Sequence, residues 1–388
     1  MVDRPLLQST LLELLAIPSP SGFTNEVVRY IASQLESMGV EYDITRRGTI
    51  RARFPGAGND DDPAQAIVNH VDTIGAMVRA VKPNGRLAVA PIGFWSSRFA
   101  EGVRVTLFSG KKAYRGTLLP TVRWGVSHDR GVNDVPLEWD HLELRLDVPA
   151  RDAEEVADLG VDVGDFIALD SAPEVLEDGF IVGRNLDNKA GAAAVLATMR
   201  HIVDNGVELP RDTYFLFTVT ETVGSGAGSA ILPSVSELVT VDFASVPAGE
   251  EVAFERITIA SGDAAGPYDY HLTAHLHQLA VDNDIPCRRR VLAASHNDAA
   301  SALAAGHDVR TAVITYAGDA SHSVERTHFN SLENIVKLLL AYMCSEPTFR
   351  GDTSTTTVSK FSHQIDTESL PEQSVERPDA AEVIRRNQ

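Results

Sequence analysis

Ala66-Ile67-Val68-Asn69-His70-Val71-Asp72 is the stretch whose reading decides the fold. A short apolar run ends on a histidine and an aspartate two residues apart, the pattern of a buried strand delivering polar side chains to the rim of a sheet. The same arrangement recurs. The run from Thr213 closes on Thr218-Val219-Thr220-Glu221, and the run from Leu238 closes on Val241-Asp242-Phe243. Asn185-Leu186-Asp187-Asn188-Lys189 stands before a helix of small residues, and Ala320-Ser321-His322-Ser323 stands before the last helix. Singly, each has a structural explanation, since a carboxylate at an element boundary is commonly a helix cap. Together, His70, Asp72, Asp187, Glu221, Asp242 and His322 form a set of imidazoles and carboxylates, the ligands that hydrolytic metal centres use. In open α/β sheets such residues gather along the carboxyl ends of the strands.

Outward from this stretch, the periodicity predicts helices over Gln8–Ile17 and Thr24–Met38, then a strand pair over Tyr42–Thr45 and Thr49–Phe54. From residue 74 to 173 helical periodicity nearly vanishes, and short β-rich runs replace it, including Met77–Val81, Leu87–Pro91, Arg104–Phe108 and His141–Leu146. One short helix is expected over Val148–Leu159. Alternating strands and helices then resume, with helices over Lys189–Val203, Leu272–Val281, Asp298–Ala305 and Leu332–Met343 and strands over Ile257–Ala260 and Thr311–Tyr316. Such alternation argues for an α/β fold with a mostly parallel sheet covered by helices. The expected organisation is a discontinuous catalytic unit, residues 1–73 and 174–350, a β-rich domain inserted at 74–173, and a polar, partly disordered tail at 351–388.

Composition excludes several classes. Lys plus Arg total 34 against 54 Asp plus Glu, a net charge of −20, which repels nucleic acid and anionic membrane surfaces. Two cysteines, Cys287 and Cys344, are too few for a disulfide framework or a thiolate metal site. Residues 1–15 lack the basic and apolar regions of a signal peptide, and no apolar run reaches the roughly 20 residues of a membrane helix. The expectation is a cytoplasmic protein. Ser225-Gly226-Ala227-Gly228 lacks the Lys-Ser/Thr ending of a phosphate loop. His271, His275 and His277 fall on one helix without an acidic base and read as surface or packing residues, and Arg288-Arg289-Arg290 reads as a solvated turn.

The order of these residues resembles the glutamyl aminopeptidase and CelM-like metallopeptidases, also called tetrahedral aminopeptidases, of the co-catalytic zinc aminopeptidase clan. The resemblance covers residues 8–348. It rests on residues 69–75, on Pro91-Ile92-Gly93-Phe94-Trp95, on residues 160–166, on Leu186-Asp187-Asn188-Lys189-Ala190-Gly191, and on Gly318-Asp319-Ala320-Ser321-His322-Ser323-Val324-Glu325. It implies that His70 and Asp242 hold one divalent metal and His322 the other, with Asp187 bridging the two. It further implies that Asp72 fixes the His70 tautomer and that Glu221 is the general base toward the attacking water. The implied cofactor is zinc, with cobalt or manganese as alternatives, one or two per subunit. The implied activity removes residues from the N-terminus of small peptides, and the implied assembly is a homo-oligomer with contacts and gating from the inserted domain.

One position departs from the pattern. The family carries two adjacent glutamates, the base and then a ligand of the His322 metal, whereas this chain has Glu221-Thr222. A hydroxyl is a poor zinc ligand, so the departure leaves open a single-metal enzyme or a non-catalytic descendant. A deacylase or amidase of a small acylated or amidated dipeptide is the other alternative, since one branch of the family is linked to peptide-like osmoprotectants. Ser295-His296-Asn297-Asp298-Ala299 also matches the family near its active site, where Asp298 would orient His296 or a substrate amine.

Overall fold

The computed structural model describes residues 2–58, 62–122, 136–245 and 253–349; the expected tail at 351–388 lies outside them. Nine strands form one mixed sheet. Its spatial order is Glu41–Ile44, Ile50–Phe54, Thr213–Thr218, Ala64–His70, Val235–Ser245, Arg310–Gly318, Ile257–Asp263 and Gly266–Pro267, with Cys287–Leu292 also pairing on Ile257–Asp263. The four central strands are parallel to one another. The centre of the sheet is parallel, as expected, and the pairing at its margins is largely antiparallel. The cause at one margin is the short link between Ile44 and Ile50, because only a crossover of a dozen or more residues returns a strand in parallel.

Ala64–His70 is buried along its whole length, as a strand covered on both faces must be. Register then sets the site. His70 lies opposite Thr218, and Thr240 opposite Val68, which brings Asp242 level with His70 two residues later.

Helix Leu186–Asn205 packs against the sheet, buried over most of its length up to its last turn. Its small residues allow that approach: a Cβ on Gly191 would fall 2.2 Å from Asn188 Oδ1 and 2.6 Å from Asn69 Nδ2. Lys189, in its first turn, is buried and donates from Nζ to the Leu14 carbonyl at 2.9 Å and to the Ile17 carbonyl. Those carbonyls lie at the end of helix Arg4–Ala16, which starts on an Asp3 cap accepting from Leu6 N. Burial lowers the Lys189 pKa to about 7.

Six strands, Gly75–Val81, Leu87–Ile92, Leu142–Leu146, Lys112–Pro120, Arg104–Ser109 and Phe166–Leu169, close into a barrel in that order. Val78, Leu87, Val105, Leu107, Leu118, Leu144 and Ile167 fill its interior, a core distinct from that of the sheet. The helix expected over Val148–Leu159 is shorter, Ala153–Asp158, because Asp152 caps it by accepting from Glu155 N.

Two elements differ from the sequence reading. Arg288-Arg289-Arg290 is no turn: it lies in strand Cys287–Leu292, parallel to Ile257–Asp263. Alternation along an edge strand lets consecutive arginines keep their charged ends near water. A small sheet of Glu174–Val175, Phe180–Gly183 and Glu325–His328 was not anticipated. It pairs Glu325 with Gly183 and so carries a carboxylate to the start of the long buried helix.

Candidate metal centre

His70 is the last residue of its strand and is almost fully buried. Its Nδ1 lies 3.0 Å from the Asp72 carbonyl oxygen and 3.5 Å from the Asp72 carboxylate. Its Nε2 faces Asp187 Oδ1 at 3.3 Å, Glu221 Oε2 at 3.5 Å and Asp242 Oδ1 at 3.7 Å. His322, at φ 65° in the turn before Glu325–His328, repeats the arrangement. Its Nδ1 lies 2.7 Å from the carbonyl oxygen of Phe94, at the end of a barrel hairpin, and its Nε2 lies 3.5 Å from Asp187 Oδ2. The two oxygens of Asp187 thus face two different imidazoles. Ser321 Oγ donates to Oδ2 of the same carboxylate at 2.9 Å.

Among the described residues, His70, Asp187 and Asp242 bring one ligand atom each to within 4.8 Å of one another. Zinc bonds of about 2.0–2.2 Å to nitrogen and oxygen in tetrahedral geometry put neighbouring ligand atoms roughly 3.4 Å apart, so the spacing fits a cation of that size. Charge supports the same fit. Burial and the neighbouring carboxylates push Glu221 well above its usual range, against the pull of His70, and Asp242 is raised as well, chiefly by burial. Burial lowers the His70 pKa, but Glu221, Asp187, Asp242 and Asp72 outweigh it and raise the group well above 6.5. His322 rises to about 9, because Asp187 and Glu325 outweigh its own burial. A cluster with more buried carboxylates than imidazoles is relieved by a cation.

Supporting side chains hold these groups. Both Asp72 oxygens accept backbone hydrogen bonds, Oδ1 from Glu221 N and Oδ2 from Thr222 N, each at 3.3 Å, and Ser21 Oγ also donates to Oδ2. The Asp72 carboxylate therefore grips the turn that bears Glu221 more closely than it approaches the imidazole. Asn188 Nδ2 donates to Asp242 Oδ1 at 3.1 Å. Glu325 accepts from Asp187 N at 3.0 Å and from His322 N at 3.1 Å. Its sequence position beside His322 hinted at the site, but its role comes from a long-range hydrogen bond that no local pattern encodes.

Thr222 is buried, and its side chain lies where a Cβ on Gly93 would meet it at 2.4 Å. On the His322 side, Glu325 has both oxygens committed to backbone donors, so Asp187 is the carboxylate left facing that imidazole among the described residues. Asp298, expected to orient His296 or a substrate amine, is fully buried and accepts from the Thr218 hydroxyl with both oxygens. His271 packs edge-on against Phe349, and His275 bonds Ser345, the packing roles expected of them.

The site opens into a cavity of about 1020 Å³, lined by Asp187, Glu221, Asp242 and His322 and by the apolar Phe94, Phe243, Val291 and Leu292. The volume admits a small peptide. No described helix is long and apolar enough to cross a membrane.

The sequence profile of the M42 glutamyl aminopeptidase family matches residues 48–338. The chain is 36% identical to the Bacillus subtilis protein YhfE over 335 residues, 86% of this chain and 96% of YhfE. Its fold is similar to that of the TET aminopeptidase from a Thaumarchaeota archaeon, with a TM-score of 0.79 at 20% identity, covering 87% and 96% of the two chains. It is also similar to Pyrococcus horikoshii TET1 peptidase, which can assemble into a tetrahedron or a large octahedral shell, with a TM-score of 0.76 at 22% identity over 87% and 99% of the chains. With its profile match, its 36% identity to a relative of nearly equal length and its fold, this chain belongs to the M42 glutamyl aminopeptidase family and is a peptidase.

Proposed function

We propose that this peptidase is a metal-dependent aminopeptidase acting on small peptides. The observation that carries the reading is the convergence of His70 Nε2, Asp187 Oδ1 and Asp242 Oδ1 beside Glu221 at the floor of a large cavity. His70, Asp187 and Asp242 would hold one divalent cation, zinc by ligand type, and His322 with the second Asp187 oxygen would hold another. A bound cation polarises a carbonyl and lowers the pKa of water.

The protein's own groups do the rest. Glu221, held at its backbone by Asp72, would take a proton from the attacking water and return it to the departing amine. The contacts at each Nδ1 leave the Nε2 atoms of His70 and His322 turned toward the carboxylates, the orientation a histidine ligand requires. The apolar wall of Phe94, Phe243, Val291 and Leu292 would receive substrate side chains.

The test is activity on aminoacyl anilides and on free and N-acetylated dipeptides, with and without chelator. Chelation should abolish hydrolysis and divalent metal restore it, with acetylated substrates refused. Full activity of protein shown to be metal-free would sink the reading. We further assign subunit contacts to residues 74–173, whose barrel has its own core, within a homo-oligomer; replacing that segment by a short linker should reduce assembly size.

A further inference from the structure

We propose that Asp298 is a positioning residue for Glu221: its carboxyl group, fixed on Thr218 and packed against Gly226, sets the path by which the chain leaves its strand and enters the turn that carries the base. The proposal rests on the reading of Glu221 as that base.

Asp298 opens helix Asp298–Ala304 and has no solvent exposure. The Thr218 hydroxyl donates to both of its oxygens, at 3.0 and 3.1 Å, and Thr218 is the final residue of the strand that leads to Glu221. Past the turn, the chain returns to the same carboxyl. A Cβ on Gly226 would fall 2.4 Å from Asp298 Oδ1, and Gly226 sits at φ +28°. Between these points, Ser225 N and Gly226 N both donate to the Thr220 carbonyl at 3.0 Å, and Ser301 Oγ of the same helix donates to the Gly224 carbonyl at 3.3 Å. Asp72 grips the turn at Glu221 and Thr222, from the side of the imidazole. Asp72 holds the turn at its apex and Asp298 holds the chain where it enters and leaves, and the two together fix where the Glu221 carboxylate arrives.

The surroundings of Asp298 suit an uncharged acid. Thr218 and Ser301 beside it are neutral, and the charged groups across from it are His70, Asp242, Asp72 and Glu221. Burial first, and then Asp242 and Asp72, raise its pKa to about 7, against His70 and the Thr218 hydroxyl. Asparagine is then the nearest replacement for the form present below that pH.

The experiment compares full-length, metal-loaded Asp298→Asn, Asp298→Ala, Thr218→Val and Glu221→Gln for kcat, KM and metal content. Misplacing a reacting group by about 1 Å can cost on the order of a hundredfold, so Asp298→Ala should lose about ten- to a hundredfold in kcat, with KM within about twofold and metal content unchanged. Asp298→Asn, which keeps the shape of the side chain, should recover most of kcat. Wild-type kcat in Asp298→Ala alongside an inactive Glu221→Gln would overturn the positioning role and leave the base in place. A fully active Glu221→Gln would overturn the base and this inference with it. Metal loss matching the loss of kcat would also overturn it, by making Asp298 a support of the metal site. Should Asp298→Ala not fold, Thr218→Val decides: a severalfold lower kcat supports the role, and an unchanged kcat overturns it.

Discussion

The two halves of the site are built from the same parts and finished differently. Each presents an imidazole whose Nδ1 faces a backbone carbonyl and whose Nε2 faces one oxygen of Asp187. On the first side, His70 has a side chain 4% exposed and meets Asp242 as well as Asp187. On the second, His322 has a side chain 34% exposed and meets Asp187 with a threonine nearby in the cavity wall. On the reading proposed above, the greater number of carboxylates and the deeper burial on the His70 side would make that the tighter of two metal positions and the His322 side the weaker.

Removing the shared carboxylate is the most drastic way to break this contrast. Asp187→Ala is expected to strip metal from both positions, whereas His322→Ala should keep the cation on the His70 side. Metal content after dialysis checks this, and equal loss in the two variants would argue that Asp187 serves one position only.

Catalysis can next be separated from binding. Glu221→Gln keeps the shape of the side chain but cannot accept a proton, and activity is expected to fall by about a hundredfold or more. Its metal content should match the parent; stripped metal would make Glu221 a ligand and send the search for the base elsewhere.

The smallest expected effect sharpens the contrast by erasing it. Thr222→Glu supplies an anionic oxygen on the weaker side and should raise occupancy there, read as a second equivalent in a metal titration, with at most a severalfold change in rate. A titration unchanged by this substitution would show that Thr222 does not face that position.

Much of this was legible from residues alone, for definite reasons. Ala66–Asn69 is a buried parallel strand, and burial on both faces writes an uninterrupted apolar run that ends where the polar rim begins. Asp187 was legible because a helix of alanines and glycine follows it, a composition that only a closely packed helix requires. The β-rich character of residues 74–173 was legible too, but barrel closure was not, since Ala76 pairs with Ile167 across the whole segment. Glu325 and Asp298 were legible as neighbours of the site, not as what they do. Their partners, Asp187 N and Thr218 Oγ1, lie far away in sequence. The strand at Cys287–Leu292 was hidden because three consecutive arginines suppress the alternation that marks a half-buried strand.

Lys189, two residues beyond Asp187, implies an order of events in folding. Lys189 Nζ is bonded to carbonyls 175 and 172 residues away in the chain. The same first helix reaches from Arg4 to Asn330 and Glu333 on the last helix. Contacts of such separation form late, because loop closure must be met before they add stability. Until the first helix docks, the Lys189 amine lacks the two carbonyl acceptors that the folded protein gives it. Competence to bind metal should therefore be a closing event of folding. In stopped-flow refolding with a metal-sensitive dye, uptake should lag behind the bulk of secondary-structure formation; uptake that ran ahead of it would contradict this order.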